Sequence, residues 1–592
     1  MRNLPRSCAV LLWLALGLSW CVGILGRGYW TPDEPREADI AWRMSWQPAK
    51  AVPLLAGEPF CEKPPLAYWV AGAAIDVFGN AAWAARLPNV LYALVTALAV
   101  GLIARRSAGS LAGLAAAAAI STFLLSYQVA IWLATDAPLL AAVAVALWGL
   151  YTGFYAMSTG ERLRGYSCMH AALAVGFMAK SAAAWMVPAL TFITLVAWEK
   201  RWRELWRWEL YPGLVLQGIL ILSWVWVVYV GPDGPAHLKV FFWNNLVGRF
   251  AHVDAPEDLQ YAAAHRNTPG KYFIELPVYL FPWTLLVPAA VRSALRRREE
   301  PVERQTSVRF AAAVFVPTLC VLSFAATARN IYLAPALPGV ALLLGSWAGG
   351  LETAHDRWDL RAIRGTSLLL ISSVAVVTAA VLVVGRDSWD GLHARAAYVT
   401  LSLLGLIIAA ACSVASLRAA GQGRLARALY ALLLAYCALL AGPASQIYRS
   451  VVTWQDLASI GRALGRDAVD RPMILFAPDE TTRAFVDLYA GTAVDLIPGP
   501  ITPISARRLR AHLAQAPRSV VLTQLAGRSE SRTVHGFKDW LGLNPRTTPP
   551  RPDPDPTPEW AFDAGLRIAH LYALPNGRRY ALLESMGSAA SR

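Results

Sequence analysis

Between residues 31 and 41 the chain reads TPDEPREADIA, so four carboxylates and one guanidinium fall within seven residues. A carboxylate held beside a cation can orient or deprotonate a hydroxyl. Asp33 and Glu34 are the candidate acid/base residues of this group, with Arg36 beside them. The plain alternative is a solvated helix start, with Asp33 near the N-cap and Pro35 in the first turn. Further on, PFCEKPPLAYW places Glu62 and Lys63 before two prolines, which force a rigid extended path. A lysine fixed there can hold a phosphate as a point charge, or merely touch lipid headgroups. Asp136 lies in ATDAP, where a carboxylate is either a helix cap or, close to membrane depth, a working group. The stretch FFWNNLVGRF surrounds Asn244 and Asn245 with aromatic residues and carries Arg249, with His252 and Asp254 beyond it. Arg249 could grip a phosphate bidentately, or belong to an amphipathic interfacial helix. TARNIYLAPALPG sets Arg329 and Tyr332 in a very short turn.

The frame that must position these groups is apolar. Of 592 residues, 56% are hydrophobic and 16% charged, well below the charged share of a soluble protein. The 24 Trp residues suit the edges of a bilayer. A net charge of +15 could point to nucleic acid, but the arginines sit mostly in short gaps between apolar runs, which argues for a membrane instead. Seven scattered cysteines form no CxxC pair, so no zinc ribbon or disulfide framework is indicated. An apolar stretch from Cys8 to Leu25 follows Arg2 and Arg6 and reads as an uncleaved first span. Further spans are expected near 84–104, 109–127, 137–156, 167–179, 182–198, 211–230, 273–292, 308–326, 331–349, 366–384, 397–417 and 425–443, thirteen in all. Segment 66–79 is apolar but short, a partial or surface-lying helix.

With a cytoplasmic N-terminus every second gap is basic, as the positive-inside rule requires, and the C-terminus lies outside. The long loops 27–83 and 231–272 then face away from the cytoplasm. Residues 1–444 form the expected transmembrane domain. Residues 445–592 are polar, with strands at 472–477 and 519–524 and a hairpin at 568–584 turning at Asn576-Gly577, and read as a small α/β extracytoplasmic domain. Residues 547–558 are a Pro-rich loop or linker. The fold class is therefore an all-α polytopic membrane domain followed by a small α/β domain.

In order along the chain, Asp33-Glu34 with Ala38-Asp39-Ile40-Ala41, then Glu62 to Trp69, then Asn330 to Pro338 resemble the bacterial GT-C glycosyltransferases of the aminoarabinose transferase and protein O-mannosyltransferase type. The resemblance covers roughly residues 1–350. It implies a sugar moved from a polyprenyl (undecaprenyl) phosphate donor to an envelope acceptor such as lipid A, a glycan or a protein, at the inner membrane. It casts Asp33 as the catalytic acid of the first loop, Asp136 as a second functional acid, and Arg36, Lys63 and Arg249 as holders of the donor phosphate, with Arg329 and Tyr332 in the late motif. Some members bind a divalent metal near the Glu of the EKP motif, here Glu62, with help from a His in the later stretch; Asn244-Asn245-Leu246 stands there instead, so a metal is left open. The family's AKG reads Ala179-Lys180-Ser181. No nucleotide-binding fingerprint occurs in suitable context, and a phosphate-linked sugar carries its own leaving group. The rival class is a transporter or flippase of lipid-linked sugars, which would call for ionisable groups at mid-membrane.

Overall fold

The computed structural model describes residues 6–47, 51–247, 269–296, 302–325, 329–351, 355–385, 392–444, 455–491, 494–525, 557–574 and 577–586. Among them nine helices are long and apolar enough to cross a membrane, or ten when the pair Lys271–Tyr279 and Trp283–Arg296, bent by 111°, counts as one broken span. The chain is a multi-pass membrane protein. Each of the thirteen expected spans coincides with helix. The counts differ because 84–104 and 109–127 join in one 41-residue helix, while Ala183–Trp198 is short and Thr159–Lys180 begins in a polar turn.

The first helices build the site. They are α1 (Arg6–Ile24), α2 (Asp33–Trp46), α3 (Leu66–Phe78), α4 (Ala82–Thr122), α5 (Leu124–Ile131), α6 (Asp136–Phe154), α7 (Thr159–Lys180) and α8 (Ala183–Trp198). The short hairpin β1 (Leu54–Leu55) and β2 (Glu58–Pro59) lies between α2 and α3. Gly109, at φ 88°, breaks α4 into two halves that fold back on each other. Helices α6 and α7 run antiparallel and cross closely: a Cβ on Gly165 would lie 2.3 Å from the Gly153 nitrogen. That geometry brings the first residue of α6, Asp136, level with the last residue of α7, Lys180.

The polar C-terminal region folds around a five-stranded sheet ordered β4-β3-β5-β7-β6. Its strands are β3 (Met473–Phe476), β4 (Val494–Ile497), β5 (Val520–Leu525), β6 (Leu566–Ala573) and β7 (Arg579–Ser585). Strands β3, β4 and β5 are parallel, and β6 and β7 form the antiparallel hairpin expected from the sequence. The expected linker at 547–556 and the turn residue Asn576 lie outside the described residues. The helix Glu480–Tyr489, which follows β3, lies along α2: Ala484 is buried in a cluster with Ile40, Met44, Leu55, Phe60 and Tyr68.

Candidate active site

Helix α2 starts after Thr31-Pro32, with Pro32 at its N-cap and no side-chain cap bond. Asp33 is therefore free of the capping role. Its carboxylate instead meets Arg36 at 3.2 Å and Arg329 at 3.2 Å, and its side chain keeps 32% exposure, enough to be reached from outside. Arg36 also binds Glu37 at 3.2 Å and Glu480 of the C-terminal region at 2.5 Å, with its guanidinium over the Phe60 ring. Lys63 reaches the same Glu37 oxygen at 2.5 Å. Burial alone would push the Glu37 carboxyl up, but the charges of Lys63 and Arg36 outweigh it and hold it down at about 2. Glu37 is thus a fixed anion between two cations, and it ties Lys63 to the Asp33–Arg36 pair.

A second cluster forms at the α6–α7 end. Lys180 Nζ donates to Asp136 at 2.6 Å and stands over the Tyr332 ring at 5.1 Å. Asp136 begins α6 but pairs with lysine across 44 residues and is no mere cap. The segment carrying Arg329 and Tyr332 spans both clusters, since Arg329 holds Asp33 and Tyr332 covers Lys180. A cavity of about 20 Å³, room for one water, lies between Glu37, Tyr68, Asn89, Tyr92, Thr135 and Pro138, between Glu37 of the first cluster and the residues that flank Asp136.

Glu34 requires a correction. It is fully buried, and each carboxylate oxygen takes three hydrogen bonds: Oε1 from Arg27, Arg86 and the Leu133 N–H, and Oε2 from Arg27, Arg86 and the Trp30 N–H. Burial pushes this carboxyl up, but Arg27 and Arg86 hold it down at about 2. No oxygen is left for a substrate proton, so Glu34 anchors the site and takes no part as acid or base. Its bond to Leu133, three residues before Asp136, fixes the α5–α6 turn against α2.

Glu62 lies within electrostatic reach of Arg36, and its backbone carbonyl accepts the Asn245 side-chain amide. Among the described residues no three His, Cys, Asp or Glu side chains gather in a way that could hold a metal ion. Arg249, His252 and Asp254 lie outside the described residues. Lys180, Arg27, Arg86 and Glu480 were not singled out from the sequence as site residues.

The arrangement sets cations from three separate segments, Arg36, Lys63 and Arg329, against the carboxylates of one helix, of which Asp33 is half-buried. The family model for dolichyl-phosphate-mannose-protein mannosyltransferase matches residues 62–228. An undecaprenyl phosphate-alpha-4-amino-4-deoxy-L-arabinose arabinosyl transferase of Pseudomonas aeruginosa is 29% identical over 376 residues, 63% of this chain and 65% of that protein. A transferase of the same name from Pectobacterium carotovorum is 28% identical over 382 residues, 63% of this chain and 65% of that protein. The match thus spans about 65% of the length of these curated relatives. The fold is that of ArnT from Cupriavidus metallidurans bound to undecaprenyl phosphate, at 16% identity and a TM-score of 0.71 over 100% of both chains. The apo form of the same protein gives 0.65 at 17% identity, covering 97% of each chain.

Proposed function

We propose that this chain, which has the GT-C membrane fold and is related in sequence to polyprenyl-phosphate-sugar glycosyltransferases, moves a sugar from a polyprenyl phosphate to an envelope acceptor. The observation that carries the reading is the convergence of Arg36, Lys63 and Arg329 on the carboxylates of one helix that starts at Asp33. In the proposed step the acceptor oxygen attacks the anomeric carbon. Asp33 takes the acceptor's proton, and the bond from that carbon to the phosphate oxygen breaks. The departing phosphate gains negative charge, and Arg36, Lys63 and Arg329, with Arg249 from the later loop, stabilise it. Asp136, held by Lys180, positions the acceptor beside Asp33, and Tyr332 closes over that pair.

A single displacement inverts the anomeric centre. The donor is an undecaprenyl-type phosphate sugar, and the acceptor is a lipid A phosphate, a glycan or a protein hydroxyl. The N-terminus lies in the cytoplasm, and the two long loops and residues 445–592 lie outside it, where a bilayer-anchored donor meets the acidic helix. Asp33→Asn tests the reading. Transfer from undecaprenyl phosphate sugar to envelope acceptors is expected to fall by about 100-fold or more, with normal protein level and donor binding. Transfer at the parental rate would defeat the assignment, and a product that keeps the donor's anomeric configuration would defeat the single displacement.

A further inference from the structure

The cations assigned to the donor phosphate are already engaged. Arg36 touches Asp33, Glu37 and Glu480, and Lys63 touches Glu37. A phosphate joins Arg36 more readily if a carboxylate gives way, because a carboxylate already on the guanidinium repels the incoming anion and occupies its donor. The three are not equally free to leave. Glu37 is almost wholly buried between two cations, and Asp33 is held by two arginines. Glu480 is the most exposed, at 43%, makes no other ion pair among the described residues, and takes Nη1, which neither Asp33 nor Glu37 shares. It heads the helix Glu480–Tyr489, whose seating on α2 has other support: Thr481 to the Pro32 carbonyl at 3.0 Å, Arg483 to the Leu55 carbonyl at 3.3 Å, and Arg43 to Asp487.

We propose that Glu480, contributed by the C-terminal region, is a residue of the lipid-phosphate site: its carboxylate occupies Arg36 Nη1 until the donor phosphate replaces it. This rests on the role given to Arg36 above. Glu480 thereby keeps Arg36 aimed outward over Phe60 and neutralised between turnovers, and tunes donor affinity by competing for it. The side chain can swing out while the helix stays docked.

Binding of undecaprenyl phosphate to the full-length protein in nanodiscs, with uncharged undecaprenol as control, tests this. Glu480→Gln is expected to tighten undecaprenyl phosphate binding about two- to fivefold, the span that a partly exposed ion pair accounts for, and to leave undecaprenol unchanged. In the Arg36→Gln background the same change is expected to give no gain. Unchanged or weaker binding in Glu480→Gln, where Arg36→Gln alone weakens it, overturns the competition and leaves Arg36 in its role. Binding indifferent to Arg36→Gln overturns that role itself. Hydrogen exchange of 480–489 guards against a misfolded variant, and Glu480→Asp, which keeps the charge, is expected to stay near the parental affinity; tightening equal to that of Glu480→Gln overturns the proposal.

Discussion

Replacing Glu34 by Gln removes one charge from a fully buried cluster. Six donors converge on that carboxylate, four of them from two buried arginines. A carboxyl held at about 2 instead of its ordinary 4.5 is worth about 3 kcal/mol to the fold. The range for stripping one partner from a buried ion pair, about 3–5 kcal/mol, agrees. The sign follows from the lowered value: this stability is complete above 4.5 and is lost as pH falls toward about 2. Glu34→Gln should therefore unfold about 3 kcal/mol more easily at neutral pH, measured by thermal or denaturant unfolding in detergent. It should also flatten the acid limb of the stability profile between those values. A stability loss of no more than about 0.5 kcal/mol, the scale of an inert surface change, would refute the anchoring role. So would a variant that keeps its stability but loses transfer.

Three further outcomes are expected. Ser181 sits at φ 57° and ψ −152°, a conformation that is nearly the preserve of glycine, so Ser181→Gly should raise unfolding stability by about 1–3 kcal/mol; a decrease would contradict this. Burial, and then the nearby Asp487, push the Asp39 carboxyl well up, so its contribution is present in acid and lost as pH rises through the raised value; Asp39→Asn should then be the more stable protein above neutral pH, and a melting temperature lower than the parent's there would count against it. Lys180→Met should lower kcat for transfer by about tenfold or more through a misplaced Asp136, with donor binding nearly unchanged; loss of binding alone would move Lys180 to the phosphate.

Much of this site was legible in the sequence because charged residues at a bilayer edge are few. Asp33, Arg36 and Lys63 stood out by type; Arg36 meets Asp33, and Lys63 joins them through Glu37. Glu34 was misread because it shares its neighbours' chemistry, yet the sequence held a usable signal. Glu34, Ala38 and Ala41 fall at i, i+4 and i+7, one face of a helix whose other two members are small and apolar, and that face is buried. Asp33, Arg36 and Glu37 lie on the next face round. The partners of Glu34 were hidden for another reason. Arg27 and Arg86 come from a loop and a different helix, and no periodicity links residues 52 positions apart. Lys180 was visible only as part of the Ala179-Lys180-Ser181 departure. The span positions were readable from hydropathy, while the merger across Gly109 was not, since a glycine at φ 88° is a property of the folded turn. Strand β4, four residues long and exposed in its first half, carries too little apolar patterning to announce itself.

The helix Glu480–Tyr489 lies parallel to α2 in matched register, with residues 36 and 480 paired and residues 43 and 487 paired, each 444 positions apart. During synthesis at about 5–20 residues per second, α2 must wait about 20–90 s for that partner. Through that interval Arg36 and Arg43 have only the carboxylates of the first loop, and Ile40 and Met44 lack their contact with Ala484. A helix made early is thus completed late. A nascent chain arrested before residue 480 would present an open first loop to whatever chaperone attends the membrane surface.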